Sequence, residues 1–551
     1  MPDQYDVILR NGTLYDGSGV PGVPGDLAID GQTIAALGNL GAAKGGRELD
    51  LGGLAVAPGF INMLSWATES LIADGRSQSD IRQGVTLEVM GEGFSFGPLS
   101  ESMKAVQLAE QGDLKYDIPW TTLNEYLEHL VARGVSCNVA SFVGTATVRI
   151  HVIGHAARSP NAAELETMCQ LVREAMAEGA MGVSSALIYA PDCFYKTDEL
   201  IALAKAAAEY DGLYVSHIRS EGNAFLEALD ELITIARAAQ TRAEVYHLKA
   251  AGRDNWPKLE AAIAKIEAAR AEGLQITADM YHYTAGATGL DATMPRWVQE
   301  GGHAAWVARL KDPAIRQRLL REMNTPSTDW ENMYLGVGTP DNILFLAFKN
   351  DALKHLTGQT LAQVAAARGK PADETILDLV IEDDSRVGTA FFMMSEENVR
   401  RQVALPWVSV DSDEASLAPE GVFLKSNAHP RAYGTFARFL GKYVRDEGII
   451  PLGEAVRKLT ALPAGVLKLD RRGRLAPGYY ADLAIFDPAK IQDHATFAQP
   501  HQYATGMAHV FVNGTQVLQD GEHTGALPGQ VVRGPGVKAR QRTIAPDASV
   551  R

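Results

Sequence analysis

Eight short β-branched or apolar runs, separated by helical stretches, govern what this chain of 551 residues can become. The runs are APGFINML, VTLEVM, CNVASFVG, AMGVSSALIY, LYVSHIR, AEVYHLKAA, QITADMYHY and WVSVDSD. Between most of them lie Ala/Leu/Glu-rich segments such as DELIALAKAAAEYDG, whose apolar residues return with the 3.6-residue period of an amphipathic helix. Short strands interleaved with helices call for a parallel sheet covered on the outside. Eight of them fit a (β/α)8 barrel better than an open sheet.

The two ends have a different texture. YDVILRNGTLYDG and DLAIDGQTIAALG alternate apolar and polar residues around Asn-Gly and Asp-Gly pairs, which is hairpin chemistry, and ADLAIFDP and HVFVNGTQVLQDG repeat it near the C-terminus. Residues 1–56 and 470–535 are therefore expected to meet in one small β-sandwich, with the barrel over 57–469. More than a hundred residues separate QITADMYHY from WVSVDSD, too many for one crossover. With HAAWVARL, AIRQRLLREM and LAQVAAARG among them, they predict an inserted helical subdomain at about 288–400. The polar tail 536–551 is expected to be loosely attached.

Composition bounds the partners. A net charge of −16 argues against nucleic acid or an anionic membrane, since either requires a basic patch. No window offers the roughly 20 apolar residues of a membrane helix, and the start MPDQYDVILRNG lacks the pattern of a signal peptide. The cysteines Cys137, Cys169 and Cys193 do not suggest a disulfide framework, so a reducing cytoplasm is the expected compartment. Homo-oligomerisation is left open by the sequence.

In such a barrel the chemistry sits at the C-terminal ends of the strands. The first strand ends at Leu64-Ser65-Trp66, the second leads to Glu92, the fifth ends at His217, the sixth at His247 with Lys249 two residues on, and the eighth at Asp411. Two imidazoles and a carboxylate from three strands facing one axis suit zinc, or another divalent metal, and leave a position for water. Such a metal turns bound water into a nucleophile near neutral pH, and an aspartate beside it can take the proton and return it to a leaving amine.

The wording of several segments is specific. APGFIN (57–62), GVTLEVMGEGFS (84–95), YVSHIRSEG (214–222), VYHLKAAG (245–252), DMYHYTAG (279–286), HPRAYGTFARFLGKYVR (429–445) and APGYYADLAIFDP (476–488) resemble the D-aminoacylase family, N-acyl-D-amino-acid deacylases of the amidohydrolase superfamily. The likeness runs from about residue 5 to about residue 530, and HPRAYGTFARFLGKYVR is its most distinctive stretch. It implies an α/β fold, a distorted (β/α)8 TIM barrel with a small β-sandwich built from both termini. By that resemblance His217 and His247 are metal ligands, Asp411 is the catalytic aspartate, and Lys249 and Arg431 hold a substrate carboxylate. Arg presents a planar fork and Lys a point charge, so the two together favour an anionic acyl-amino acid.

The departures from the family pattern matter as much. Where the family reads His-x-His on the first strand and binds a second metal, this chain has Leu64 and Trp66, neither of which can hold zinc. Where the family places a metal-binding cysteine on the second strand, this chain has Glu92. Glu92, His217, His247 and Asp411 then look similar to the one-metal arrangement of N-acetylglucosamine-6-phosphate deacetylases. Tyr283 and Tyr189 match tyrosines near the family's pocket, and Arg219 and Glu221 are expected to orient His217. His282 stands where the family has proline and either enters the pocket or is solvated. Asp413 shares the direction of Asp411 along an extended strand, so the choice between them depends on the alignment. The leading expectation is hydrolysis of an N-acyl amino acid by one zinc and Asp411. The alternatives are hydrolysis of a cyclic amide, imide or lactone, and a pseudoenzyme that binds a small acid. Metal content separates the last, and a substrate panel the first two.

Overall fold

The computed structural model describes residues 4–537, so the expected tail lies outside the described residues except for its first two positions. Parallel pairing joins Phe60–Ser65, Val85–Met90 and Asn138–Ser141 into one arc. A second arc joins Val143–Gly144, Gly182–Ala186, Leu213–His217, Ala243–Val245 and Ile276–Ala278, again parallel. The third strand thus changes partners at Phe142. The eighth run forms no regular strand. It closes the ring through parallel bridges of Val408 to Ala278 and of Glu414 to Ser65, with Asp411 N–H donating to Met280 O at 3.1 Å and Asp413 N–H to Leu64 O at 2.9 Å. The result is a distorted (β/α)8 barrel.

Both faces of these strands are covered, which is why they read as continuous apolar runs; all six residues of Val85–Met90 are buried. Helices Ala162–Glu178, Thr197–Ala208, Phe225–Ala239 and Lys258–Ala271 pack outside, and the first begins at an Asn161–Glu164 capping box. Inside, Met63, Leu64, Leu87, Val89, Phe142, Val215 and Tyr246 share one buried apolar cluster. The interior is filled there, and the polar residues at the strand ends stand above it.

Strands from both ends of the chain share one nine-stranded sheet. The long strand Gln4–Leu14 is its pivot: residues 4–10 pair with Lys44–Asp50, Thr13–Leu14 pair with Ala55–Val56, and Val23–Asp30 lies on its other side. Leu483–Phe486, Met507–Val512, Thr515–Gln519 and Glu522–His523 extend the sheet beyond Ala55–Pro58. Strands of both termini thus share one branched sheet, and Leu9, Leu27, Ile29, Val56, Leu483, Ile485 and Phe511 from the two ends bury together in one apolar cluster.

The insertion is not purely helical. Its helices His303–Lys311, Pro313–Met323, Leu361–Arg368 and Ala372–Asp383 accompany an antiparallel sheet of Ala285–Gly289, Gly388–Phe392 and Ile343–Ala347 around a separate apolar cluster. The Gly-rich strands AGATG and GTAFF carry no period-two alternation, so nothing in their pattern marked them as a sheet.

A buried polar knot locks barrel to sheet. Asp482 accepts from Asn513 N–H at 2.8 Å and pairs with Arg472, while Asn513 Nδ2 donates to Asn138 Oδ1 on the third barrel strand at 2.8 Å. D482A leaves the Arg472 guanidinium buried without its counter-charge. Urea unfolding is expected to show a loss of about 3–5 kcal/mol; a loss below about 1 kcal/mol would mean the knot is not structural.

Candidate metal centre

Glu92 leaves the second strand in the turn Gly91-Glu92-Gly93, where both glycines have positive φ, 105° and 59°, and a Cβ at Gly91 would meet Phe142 O at 2.4 Å. That tight turn carries the carboxylate over the axis. There Oε1 lies 3.1 Å from His217 Nδ1 and 3.0 Å from His247 Nε2, with all three residues buried and one ligand atom of each within 4.8 Å of the others. His247 itself has φ +34°, a conformation non-glycine residues adopt only where their surroundings hold it, and Asp279 accepts its backbone N–H.

The outer nitrogens of both histidines face one carboxylate, that of Glu221. Its Oε1 lies 3.0 Å from His247 Nδ1 and its Oε2 3.6 Å from His217 Nε2, a buried nitrogen with no hydrogen-bond partner. Lys249 Nζ donates to Glu221 at 2.5 Å and stands 2.7 Å from His247 Nδ1. Burial opposes ionisation of Glu221, yet Lys249, His217 and His247 hold its carboxyl below the ordinary value. Burial opposes ionisation of Glu92 too, and its hydrogen bonds to His217 and His247 outweigh it. Two inward imidazole nitrogens and one carboxylate oxygen, backed by an outer carboxylate, form a donor set suited to zinc.

The cavity above these groups measures about 950 Å3 and is lined by Glu92, His217, His247, Lys249, Arg431 and Tyr189 among others. Arg431 comes from the His-Pro-Arg segment: His429 Nε2 bonds Ala285 O at 2.9 Å and its Nδ1 accepts Arg431 N–H at 3.1 Å, which pins the start of helix Arg431–Arg438. The guanidinium is buried over the Tyr281 ring at 4.4 Å, and its Nη1 lies 2.9 Å from Asp413 Oδ2. Its Nε and Nη1 make no well-aligned hydrogen bond, although Nη1 is ion-paired with Asp413 and Nε lies 3.6 Å from Glu414 Oε2, so a planar anion would compete with these carboxylates for the fork. Tyr189 packs edge-on against His217 at 5.4 Å between ring centres.

Several expectations move. Asp411 does not line the cavity: its carboxylate is buried in the barrel beside that of Asp279, and burial first and the charge of Asp413 second push it up to about 7. Asp413 lines the cavity instead. The supposed shared direction fails because the closing segment is no regular strand and Asp413 has φ +47°. Burial raises the Asp413 carboxyl and Arg431 pulls it part of the way back. Tyr283 lies outside this cavity, with Arg438 over its ring at 4.9 Å, while Tyr281, two residues earlier, lines it. Tyr281 was missed although DMYHYTAG carries both tyrosines, because only the register of an irregular strand end tells them apart.

Lys249 lines the cavity, but its ammonium is engaged by Glu221 rather than free for a ligand. Arg219 is paired with Glu231 at 2.7 Å and does not orient His217. His282 is neither in this cavity nor solvated: it is buried against Phe439 and Tyr443 with both ring nitrogens unpartnered. Leu64 belongs to the apolar barrel floor, and Trp66 lines the cavity. The three cysteines are buried and free.

The fold that carries this site is matched in known proteins. The model of the amidohydrolase family matches residues 47–518. The chain belongs to the amidohydrolase family. It is 33% identical over 532 residues to D-aminoacylase of Alcaligenes xylosoxydans xylosoxydans, covering 96% of this chain and 97% of that one. Among solved structures, N-acyl-D-glutamate deacylase from Bordetella bronchiseptica, complexed with zinc and a phosphonate mimic of the tetrahedral intermediate, superposes with TM-score 0.80 at 29% identity, over 97% of this chain and 100% of that one. A D-aminoacylase with a binuclear metal centre, described as having one-metal activation and second-metal attenuation, superposes with TM-score 0.80 at 32% identity, over 96% and 100%. This amidohydrolase is thus a hydrolase of carbon–nitrogen bonds other than peptide bonds, on a barrel shared with the D-aminoacylases. No helix among the described residues is long and apolar enough to cross a membrane.

Two tests bear on the centre. E221Q removes the charge behind both histidines and is expected to weaken zinc binding about 10- to 100-fold in chelator competition, with the fold intact. In the metal-free protein burial and Lys249 lower the basicity of His247, but Glu221 and Glu92 outweigh them and push it up to about 10. Zinc takes the neutral imidazole and expels that proton, so apparent affinity is expected to climb steadily from about pH 6 to about pH 9; a flat profile contradicts this charge balance.

Proposed function

We propose that this amidohydrolase cleaves the amide bond of an N-acylated amino acid, using one zinc ion held by Glu92, His217 and His247. The observation that carries the reading is the shared cavity: the only His/Cys/Asp/Glu cluster among the described residues suited to a metal opens onto the same space as the buried guanidinium of Arg431. When bound, zinc supplies an acidified water and polarises the amide carbonyl. The rest falls to side chains of this chain.

Arg431, stacked on Tyr281, receives the substrate carboxylate, which sets the amide over the metal ligands. Lys249 acts indirectly, holding Glu221 against His247. Asp413 takes the proton of the attacking water and returns it to the leaving nitrogen; its raised carboxyl suits both tasks. Burial keeps Tyr281 and Tyr189 protonated, so each offers an O–H to the oxygen on which negative charge develops. Asp413 takes the role that the sequence assigned to Asp411, because only Asp413 lines the cavity. Leu64 and Trp66 support a one-metal centre, and the relatives that act on N-acyl-D-amino acids support the substrate class.

The test is an assay of zinc-loaded protein on paired N-acetyl-D- and N-acetyl-L-amino acids, neutral and acidic. D413N is expected to keep about one zinc and lose roughly 100- to 10,000-fold in kcat, whereas D411N retains most of its turnover. The reverse pattern would return the role to Asp411, and no hydrolysis of any acylated amino acid would sink the substrate reading.

A further inference from the structure

The indole of Trp66 stands between two carboxylates. Its Nε1 lies 3.1 Å from Glu92 Oε2 and 3.1 Å from Asp413 Oδ1, so a single N–H is shared by acceptors from the second strand and from the closing segment. The ring is held at its other end by the main chain, where Trp66 N–H donates to Glu414 O at 2.9 Å. It forms part of the cavity wall and is 38% exposed.

Each carboxylate has its second oxygen engaged elsewhere. Glu92 turns Oε1 to His217 and His247, and Asp413 turns Oδ2 to Arg431 Nη1 at 2.9 Å. Glu92 Oε2 and Asp413 Oδ1 are left converging on the indole N–H. Two carboxylates converging on one point repel, and a proton or a cation between them is the usual remedy. Here a neutral donor fills that place. It satisfies a lone pair on each carboxylate and adds no charge.

We propose that Trp66 is a positioning residue whose N–H replaces a second cation between Glu92 and Asp413. It fixes the orientation of the proton-accepting carboxylate and limits the centre to one metal ion. This rests on the reading of Asp413 as the proton-transferring group. The link also ties the base to a metal ligand, so displacement of one is felt by the other. The bulk of an aromatic ring alone does not provide that link; the N–H does.

W66F keeps a ring in the cavity wall and removes the donor. W66H puts an imidazole between the same two carboxylates and completes a second donor set with Glu92 and Asp413. With full-length zinc-supplemented protein, W66F is expected to hold about one zinc, unfold near the wild-type midpoint, and lose at least about 10-fold in kcat with KM within about 2-fold, the split that marks lost transition-state positioning. Elemental analysis of W66H is expected to approach two zinc per chain. A W66F enzyme with wild-type kcat, or a W66H protein that stays at one zinc in excess metal, overturns the proposal. The zinc count needs no substrate and decides even if W66F fails to fold. Full activity in D413N would instead overturn the assignment of the base, leaving the count on W66H to judge the indole.

Discussion

Burying the Glu92 carboxylate costs several kcal/mol unless its charge is met from outside, and this barrel meets it on every open side. His217 and His247 approach one oxygen and the Trp66 indole the other. Each of those partners needs support in turn. Glu221 backs both imidazoles, Lys249 offsets Glu221, and Asp413 shares the indole and faces Arg431. One desolvated carboxylate therefore organises a shell of charged and polar groups in which almost every member has two roles.

That arrangement requires five strand ends to meet at a single level, and the ring's irregularities serve it. The third strand switches partners at Phe142, against whose carbonyl the Gly91 turn packs closely. The closing segment is tied by single bridges rather than a ladder, which leaves its backbone free to take the left-handed conformation at Asp413. A regular eighth strand would have directed Asp411 and Asp413 alike. Instead one carboxylate sinks into the barrel and the other faces the cavity.

The insertion and the terminal sheet contribute unequally. The insertion brings Arg386, Met333 and Trp306 to the cavity wall, so this part of the chain shapes what the site can admit. The terminal sheet is fastened beneath through Asp482, Arg472, Asn513 and Asn138, of which Asp482 lies in the ADLAIFDP segment. Its role is to hold the barrel's first and third strands in register, since Gly59 N–H donates to Asp482 O at 2.7 Å and Asn138 lies on the third strand.

Sequence alone pointed to the barrel, the union of both ends, the position of the insertion and the three residues that the fold gathers into a candidate metal site. These depend on local periodicity and on residue type at strand ends, which the chain carries openly: Glu92, His217 and His247 each close a short apolar run. What only tertiary structure decided are features set by register and by contacts across hundreds of residues. Asp413 rather than Asp411, Tyr281 rather than Tyr283, and Lys249 bound to Glu221 all turn on which way a side chain points where a strand ends irregularly. The place of Trp66 was legible only as the loss of a histidine. Its N–H between Glu92 and Asp413 appears once strands far apart in sequence, 26 and 347 residues from Trp66, are brought to one point by closure of the ring.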